Sequence, residues 1–200
     1  MFKNILITMS LLLTTATSTM AAVTYVPATK LLQITGTTTG WQVAQVTAIM
    51  QAEDVRIVQL SGPGGDFYAG LRLGSAIREE GATVIIPTKK TCISACAFAA
   101  LGGSDVLVDG KLWFHRPYLQ SVRTTTSSED YAGLVTGAIL DAARYIARMG
   151  YSLQFFTAPL SKSSPCKFYT LSKGEDLAKG KGEAWAEAEA VNWEILDLCK

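Results

Sequence analysis

Short apolar runs with two different spacings alternate along this chain. Residues 23–35 are typical of an opening strand pair, and residues 36–40 read as a Thr/Gly turn. Residues 41–51 then carry apolar side chains at helical spacing, and the β-branched run 55–60 predicts a buried strand. The first part of the chain therefore predicts strands, a helix and another strand in succession.

Glycine and proline interrupt the chain after that strand. Residues 61–66 are dense in both, which predicts a turn. Residues 67–80 follow as a helix with one apolar face and with Gly81 as its C-cap. Residues 83–87 form a further β-branched strand, and the small apolar residues 94–101 predict a short buried helix.

A turn signal separates the next two predicted strands, at residues 105–108 and 112–115. The dipeptide Asp109-Gly110 joins them, and this dipeptide between apolar runs is typical of a β-hairpin. The polar residues 121–130 then predict a mobile loop, and residues 131–150 predict a long helix.

The C-terminal region is predicted to be rich in helix. Residues 158–166 read as an irregular connection, and helices are predicted at residues 175–179 and 184–198. Strands that alternate with helices along most of the chain favour an α/β domain whose sheet is at least partly parallel.

The first 22 residues have the composition of a targeting segment. Lys3 gives a short positive region, residues 5–13 are mostly apolar, and small residues place a cleavage site after Ala21 or Ala22. The apolar run is shorter than the roughly 20 residues needed to span a bilayer. We therefore expect a signal peptide at residues 1–22, one domain at residues 23–200, a periplasmic or secreted location, and no stable membrane anchor after cleavage.

Composition excludes partners that are selected by bulk charge. Hydrophobic residues make up 48% of the chain, enough for a sizeable core, and the formal net charge is +1. A nearly neutral chain lacks the basic footprint of a nucleic-acid-binding protein, so no nucleic-acid partner is expected.

The four cysteines are an even number, which suits an oxidising compartment. They allow three disulfide connectivities, of which Cys92–Cys96 with Cys166–Cys199 is the most local. Metal binding is the rival interpretation, but a chain with one histidine and no Cys-x-x-Cys offers little for it. No metal and no cofactor are expected.

Three segments carry candidate chemistry. Pro63-Gly64-Gly65 precedes a helix and can point backbone amides toward negative charge, although an ordinary strand-to-helix turn has the same composition. Ser94 stands before a helix of small residues, where a serine is either a helix cap or a nucleophile. His115 is the only histidine and ends an apolar strand before a polar loop, a position that suits a functional site.

Taken together, in order and spacing, residues 55–117 resemble the ClpP family of serine proteases within the ClpP/crotonase superfamily. The motifs that carry the resemblance cover about a third of the chain: Gly62-Pro63-Gly64-Gly65, Ala69-Gly70, Ser94-Ala95-Cys96, Gly102-Gly103 and Phe114-His115-Arg116-Pro117. The Cys-x-Ser-Ala-Cys version looks like an exported branch of that family. The resemblance implies repeated ββα units, a mostly parallel central sheet and flanking helices.

The resemblance also implies roles for individual residues. Ser94 would be the nucleophile and His115 the general base. The Gly64-Gly65 backbone would contribute to binding of substrate and oxyanion, with the amides of Gly65 and Ala95 as donors. The substrate would be a peptide or an unfolded polypeptide that needs no ATP-driven unfolding, and a homo-oligomer is possible.

The sequence departs from the family at the third catalytic residue. The family places an aspartate shortly before a Leu-Ser/Thr pair, which stands here as Leu171-Ser172, and counting back reaches Lys167 or Phe168. Neither side chain can orient an imidazole as a carboxylate does. Three readings stay open: a slow Ser-His dyad, a triad completed by another group, and an inactive module that binds peptide or assembles without cleaving. A crotonase-like acyl-CoA enzyme is a further alternative, disfavoured by export.

Overall fold

The structure is a computed structural model that describes residues 21–117, 127–152, 169–171 and 186–187. Its strands are β1 (Ala22–Val26), β2 (Leu31–Thr38), β3 (Ile57–Gly65), β4 (Thr83–Ile86), β5 (Thr91–Ile93), β6 (Val106–Val108), β7 (Lys111–Phe114), β8 (Tyr169–Leu171) and β9 (Ala186–Glu187). Its helices are α1 (Gly40–Ala52), α2 (Phe67–Glu80), α3 (Ala95–Ala100) and α4 (Ser128–Arg148).

Side-chain caps fix where the first two long helices begin. The Thr39 hydroxyl accepts a hydrogen bond from the Gln42 amide at 3.2 Å before α1, and the Asp66 carboxylate accepts one from the Ala69 amide at 2.6 Å before α2. Gly81 ends α2 in a left-handed conformation. The predictions for α1 and α2, including the glycine C-cap, are confirmed.

Strand β3 is the junction of the sheet. It runs parallel to β2 along its length, to β4 through its first three residues, and to β5 near its carboxyl end, where Gly62 pairs with Cys92. β4 then pairs with β6 and β5 with β7, both in parallel, so the sheet divides into two arms at β3. Antiparallel pairs occur at β1–β2, β7–β8 and β8–β9. The predicted α/β fold with a mostly parallel sheet and flanking helices is confirmed.

The core lies between the sheet and the helices packed on it. Burying a large aliphatic side chain stabilises a fold by roughly 1.5–3 kcal/mol. The largest side chains that are essentially inaccessible include Leu32, Leu60, Leu73, Ile77, Ile86, Leu101, Leu112, Tyr145 and Ile146.

The turn predicted at residues 61–66 is wrong in its position. β3 continues through Gly65 because the segment pairs on both sides: β2 reaches it at Thr38, opposite Gly65, and β5 reaches it at Gly62. For the same reason the turn predicted at residues 36–40 starts late, since β2 extends to Thr38. The glycines and the proline here lie within the last residues of a strand and do not reverse the direction of the chain.

The hairpin predicted around Asp109-Gly110 is also wrong. β6 pairs with β4 and β7 with β5, so the two strands lie in different arms of the sheet. The amides of Asp109 and Gly110 both donate to the Ile86 carbonyl at 3.0 Å, which ties this turn to the end of β4.

The C-terminal prediction differs from the structure at one place. Ala186–Glu187, predicted inside a helix over residues 184–198, forms the short strand β9 against β8. The other predicted C-terminal elements lie outside the described residues. Across the parts of the chain that the structure describes, no helix is both long enough and apolar enough to span a bilayer.

Candidate active site

Ser94 has a backbone conformation that few residues with a side chain adopt. It lies between β5 and α3 with φ 55° and ψ −120°. Such a conformation costs a non-glycine residue of order 1–3 kcal/mol and persists only where the surroundings impose it. Here the Ser94 amide donates to the Trp113 carbonyl at 2.8 Å, and the Ser94 carbonyl accepts from the Phe98 amide at 3.0 Å. The half-buried side chain makes no capping hydrogen bond to α3.

A disulfide spans this serine. Cys92 in β5 is bonded to Cys96 in α3, with their Cα atoms 5.2 Å apart. Cys92 lies in a strand rather than in the helix, which makes a bond across four residues feasible. The bond closes a small loop whose centre is Ser94. The predicted Cys92–Cys96 pair is confirmed, and the predicted Cys166–Cys199 pair lies outside the described residues.

Gly64 brings the backbone of β3 directly against Ser94. Its φ is +90°, and a Cβ atom there would lie 2.6 Å from the Ile93 carbonyl oxygen, 2.8 Å from Ser94 Cβ and 3.1 Å from the Ala95 nitrogen. Only glycine allows this approach together with this conformation. Gly65, the next residue, pairs instead with Thr38 in β2.

The Ala95 amide lies at the start of α3, close to the backbone of β3. Ala95 is the first residue of α3, and the amides of a first helical turn have no acceptor within their helix. The Gly64 backbone lies beside this nitrogen, since a Cβ atom on Gly64 would be 3.1 Å from it. The predicted residues Ser94, Gly64 and Ala95 are thus brought together.

His115 leaves the sheet beside Ser94. In the parallel pair of β5 and β7, Ile93 lies opposite Trp113, so Ser94 and His115 follow at the same edge of the sheet, one and two residues after the paired positions. The structure thus brings the predicted pair to adjacent strand ends.

The His115 ring is buried and hydrogen-bonded in a way that fixes one tautomer. The side chain is only 5% exposed, and Nδ1 lies 2.9 Å from the Arg116 carbonyl oxygen. A carbonyl oxygen only accepts, so Nδ1 carries the proton in this bond and Nε2 is the basic atom. Burial lowers the pKa of His115 below its usual 6.5, an effect partly offset by the bond to Arg116. The ring is therefore neutral at neutral pH.

Strand β8, which pairs with β7, follows the sequence position at which the ClpP family carries its third catalytic residue, an aspartate. β8 pairs antiparallel with β7, and Tyr169 lies opposite Phe114, one residue before His115. The count back from Leu171-Ser172 reached Lys167 or Phe168, which directly precede this strand in the sequence. Both lie outside the described residues, so the absence of a carboxylate beside His115 stays a prediction.

Three aromatic rings connect the elements that carry the site. Phe98 of α3 makes edge-to-face contacts with Phe67 at the start of α2 and with Phe114 at the end of β7, at centroid distances of 5.4 and 5.6 Å. Such pairs contribute about 0.5–1.5 kcal/mol beyond their buried area. The sequence carried no signal for this cluster, since each phenylalanine belongs to a different predicted element.

The described part of the chain holds no group of three or more His, Cys, Asp or Glu side chains that is arranged to bind a metal ion. The chemistry available within these residues is that of a hydroxyl, an imidazole and backbone amides.

Comparison with known proteins identifies the fold. No protein-family model matches the sequence, and no curated protein matches it. Among solved structures, the chain is similar to a mutant of ClpP1 from Listeria monocytogenes, with a TM-score of 0.58 and 16% sequence identity over 76% of this chain and 88% of that one. The α/β fold of this chain is thus ClpP-like.

Proposed function

We propose, from the ClpP-like fold, that the chain is an ATP-independent serine peptidase acting outside the cytoplasm, with Ser94 as nucleophile and His115 as general base. The backbone of Ser94 is the observation that carries this proposal. A strained non-glycine residue is retained where a structure needs its side chain in a particular direction. A buried helix cap would have no need of φ 55°, and Ser94 makes no capping bond.

The neighbouring groups supply the other parts of the reaction. Ser94 Oγ attacks the peptide carbonyl, and Nε2 of His115 takes its proton and returns it to the leaving amine. The Ala95 amide, with the glycine backbone of β3 beside it, binds the developing oxyanion, a contribution of about 3 kcal/mol per donor in other enzymes. The Arg116 carbonyl occupies the Nδ1 side of the ring, where a triad uses a carboxylate.

A carbonyl is a weaker partner than a carboxylate for the imidazolium that forms during the reaction. Loss of the carboxylate costs about 10⁴ in rate in a well-studied triad. We therefore expect slow turnover. The proposed substrate is an extended peptide or an unfolded polypeptide, lying as an added strand along residues 65–67, where β3 ends.

A fluorophosphonate probe tests this assignment. The folded protein should form one covalent adduct, and peptide mapping should place it on Ser94. Ser94→Ala should remove labelling, whereas Ser104→Ala should leave it unchanged, because the Ser104 hydroxyl is bonded to the Gly81 carbonyl away from the site. Absence of an adduct on the folded, oxidised protein would contradict the enzyme assignment. If that protein also bound peptides, the non-cleaving module would be favoured.

The extracytoplasmic location rests on the disulfide, because such bonds persist in oxidising compartments. We expect protein recovered from outside the cytoplasm to begin at residue 22 or 23 and to contain a Cys92–Cys96 cross-link in non-reducing peptide mapping. Replacing both cysteines by alanine should lower the free energy of unfolding by about 2 kcal/mol, as the chain-entropy model gives for a loop this short. Alanine suits this test because both sites are buried. Recovery of the protein only from the cytoplasm would contradict the location, and free thiols in the exported protein would contradict the disulfide.

A further inference from the structure

The position of α3 is set by its neighbours rather than by its own hydrogen bonds. The helix has only six residues, all of them buried. A helix this short is unstable alone, because nucleation fixes several residues for few hydrogen bonds. Ser94 and the Ala95 amide lie at its start, so contacts that hold α3 also place both groups.

One such contact comes from α4. Tyr145, which is fully buried, donates its hydroxyl to the Phe98 carbonyl at 2.8 Å. The same residue, Phe98, donates its amide to the Ser94 carbonyl at 3.0 Å. A single residue of α3 therefore separates the Tyr145 hydroxyl from the backbone of the nucleophile.

The packing around this hydroxyl is specific to tyrosine. A Cβ atom at Gly74 of α2 would overlap the Tyr145 hydroxyl and would lie 2.9 Å from its Cζ atom and 3.0 Å from the Ala99 carbonyl oxygen. The missing side chain of Gly74 thus leaves the space that the hydroxyl fills. Burial also raises the pKa of Tyr145 above its usual value, which favours the protonated phenol that donates this bond.

We infer that Tyr145 is a positioning residue for the reaction: its hydroxyl ties α3 to α4 and thereby sets the direction of Ser94 and of the Ala95 amide. The inference rests on the proposed function for its catalytic consequence. Tyr145 does not touch the reacting atoms, and its influence passes through the backbone of Phe98.

Tyr145→Phe tests this role in the full chain, since it keeps the ring and removes only the hydroxyl. We expect the maximal rate constant of fluorophosphonate labelling to fall about tenfold, less than the hundredfold that a displacement of about 1 Å costs in other enzymes. The probe concentration that gives half of the maximal labelling rate should stay within about twofold of the parent value, because the Tyr145 hydroxyl does not contribute to binding of the unreacted probe. The pH dependence of labelling should not move, because His115 is untouched.

Tyr131→Phe is the matched control. Tyr131 lies on the same helix, is half-buried, and makes no side-chain hydrogen bond among those resolved for the described residues. Its substitution should change neither labelling rate nor amide exchange. In Tyr145→Phe, the amides of α3 should exchange with solvent faster than in the parent protein, a readout that does not depend on activity.

A second variant uses the space at Gly74. Gly74→Ala should reduce labelling more than Tyr145→Phe does, because the new methyl group displaces the hydroxyl. In the Tyr145→Phe background the additional loss should be smaller, since the worst overlap is gone. Gly137→Ala on α4 is the control, because a Cβ there meets nothing within 4 Å.

The outcomes separate the two proposals. Unchanged labelling in Tyr145→Phe, or additive effects of the two substitutions, would overturn the positioning role. If the parent protein is not labelled, the proposed function fails, and amide exchange in α3 still decides whether Tyr145 fixes that helix: faster exchange supports its structural part and unchanged exchange refutes it.

Discussion

His115→Gln is expected to lower the rate at which Ser94 reacts with a fluorophosphonate by at least about 10⁴-fold, as removal of the base does in other serine hydrolases. Glutamine is close in size to histidine and can accept the hydrogen bond of a serine hydroxyl, but it cannot hold the proton. The variant also loses the bond from the ring Nδ1 to the Arg116 carbonyl, so circular dichroism should accompany the labelling to check that the fold survives.

The pH dependence provides the control for this assignment. The neutral ring is the active form, and burial lowers the pKa of His115 below 6.5. The decline in labelling at low pH should therefore have its midpoint below pH 6.5, and His115→Gln should lack that decline. The same lowered pKa means that this group's contribution to stability is present above pH 6.5 and is lost as pH falls through the pKa of the folded state. A decline centred at pH 7 or above would contradict the assignment.

Gly64→Ala is expected to disrupt both the fold and the site. The substitution adds an atom 2.8 Å from Ser94 Cβ and 2.6 Å from the Ile93 carbonyl oxygen, at a φ of +90° that alanine resists. We expect a loss of about 2–4 kcal/mol in the free energy of unfolding, from strain and overpacking together. Labelling by the protein that remains folded should fall by about a hundredfold or more, as it does when an oxyanion donor is lost.

Gly81→Ala separates strain from contact. Gly81 also has a positive φ, of +71°, but a Cβ there meets nothing within 4 Å. We expect it to lose only about 1 kcal/mol in urea unfolding and to label at the parent rate. If Gly64→Ala behaved like Gly81→Ala in both measurements, the close approach of β3 to Ser94 would not be needed for reactivity.

The sequence predicted α1, α2, α3 and α4 well because each has its signal nearby. The cap at Asp66, the glycine after α2 and the small residues of α3 act within a few positions of the element they define. Ser94 and His115 became candidates for another reason: order and spacing along residues 55–117 resemble a known family.

Pairing partners could not be predicted in the same way. Asp109-Gly110 has the composition of a hairpin turn, and nothing local shows that β6 joins β4 while β7 joins β5. Likewise, the sequence named Gly64 as a binding residue, but the close approach of its backbone to Ser94, thirty residues later, is visible only in the structure. Nothing in the sequence indicated a positioning role for Tyr145. A tyrosine on the apolar face of a helix is common, and only the structure shows that its hydroxyl reaches the Phe98 carbonyl.

Because the sheet divides at β3, its two arms should tolerate substitutions to different degrees. Ser94 and His115 both leave the arm formed by β5 and β7, and Gly64 lies at the junction, whereas β4 and β6 contribute none of the candidate catalytic groups. Substitutions in the β4–β6 arm should alter activity only through overall stability, and drift there is tolerated until the stability threshold is reached. Diverging homologues would then keep the β5–β7 arm recognisable long after the other arm has lost all similarity.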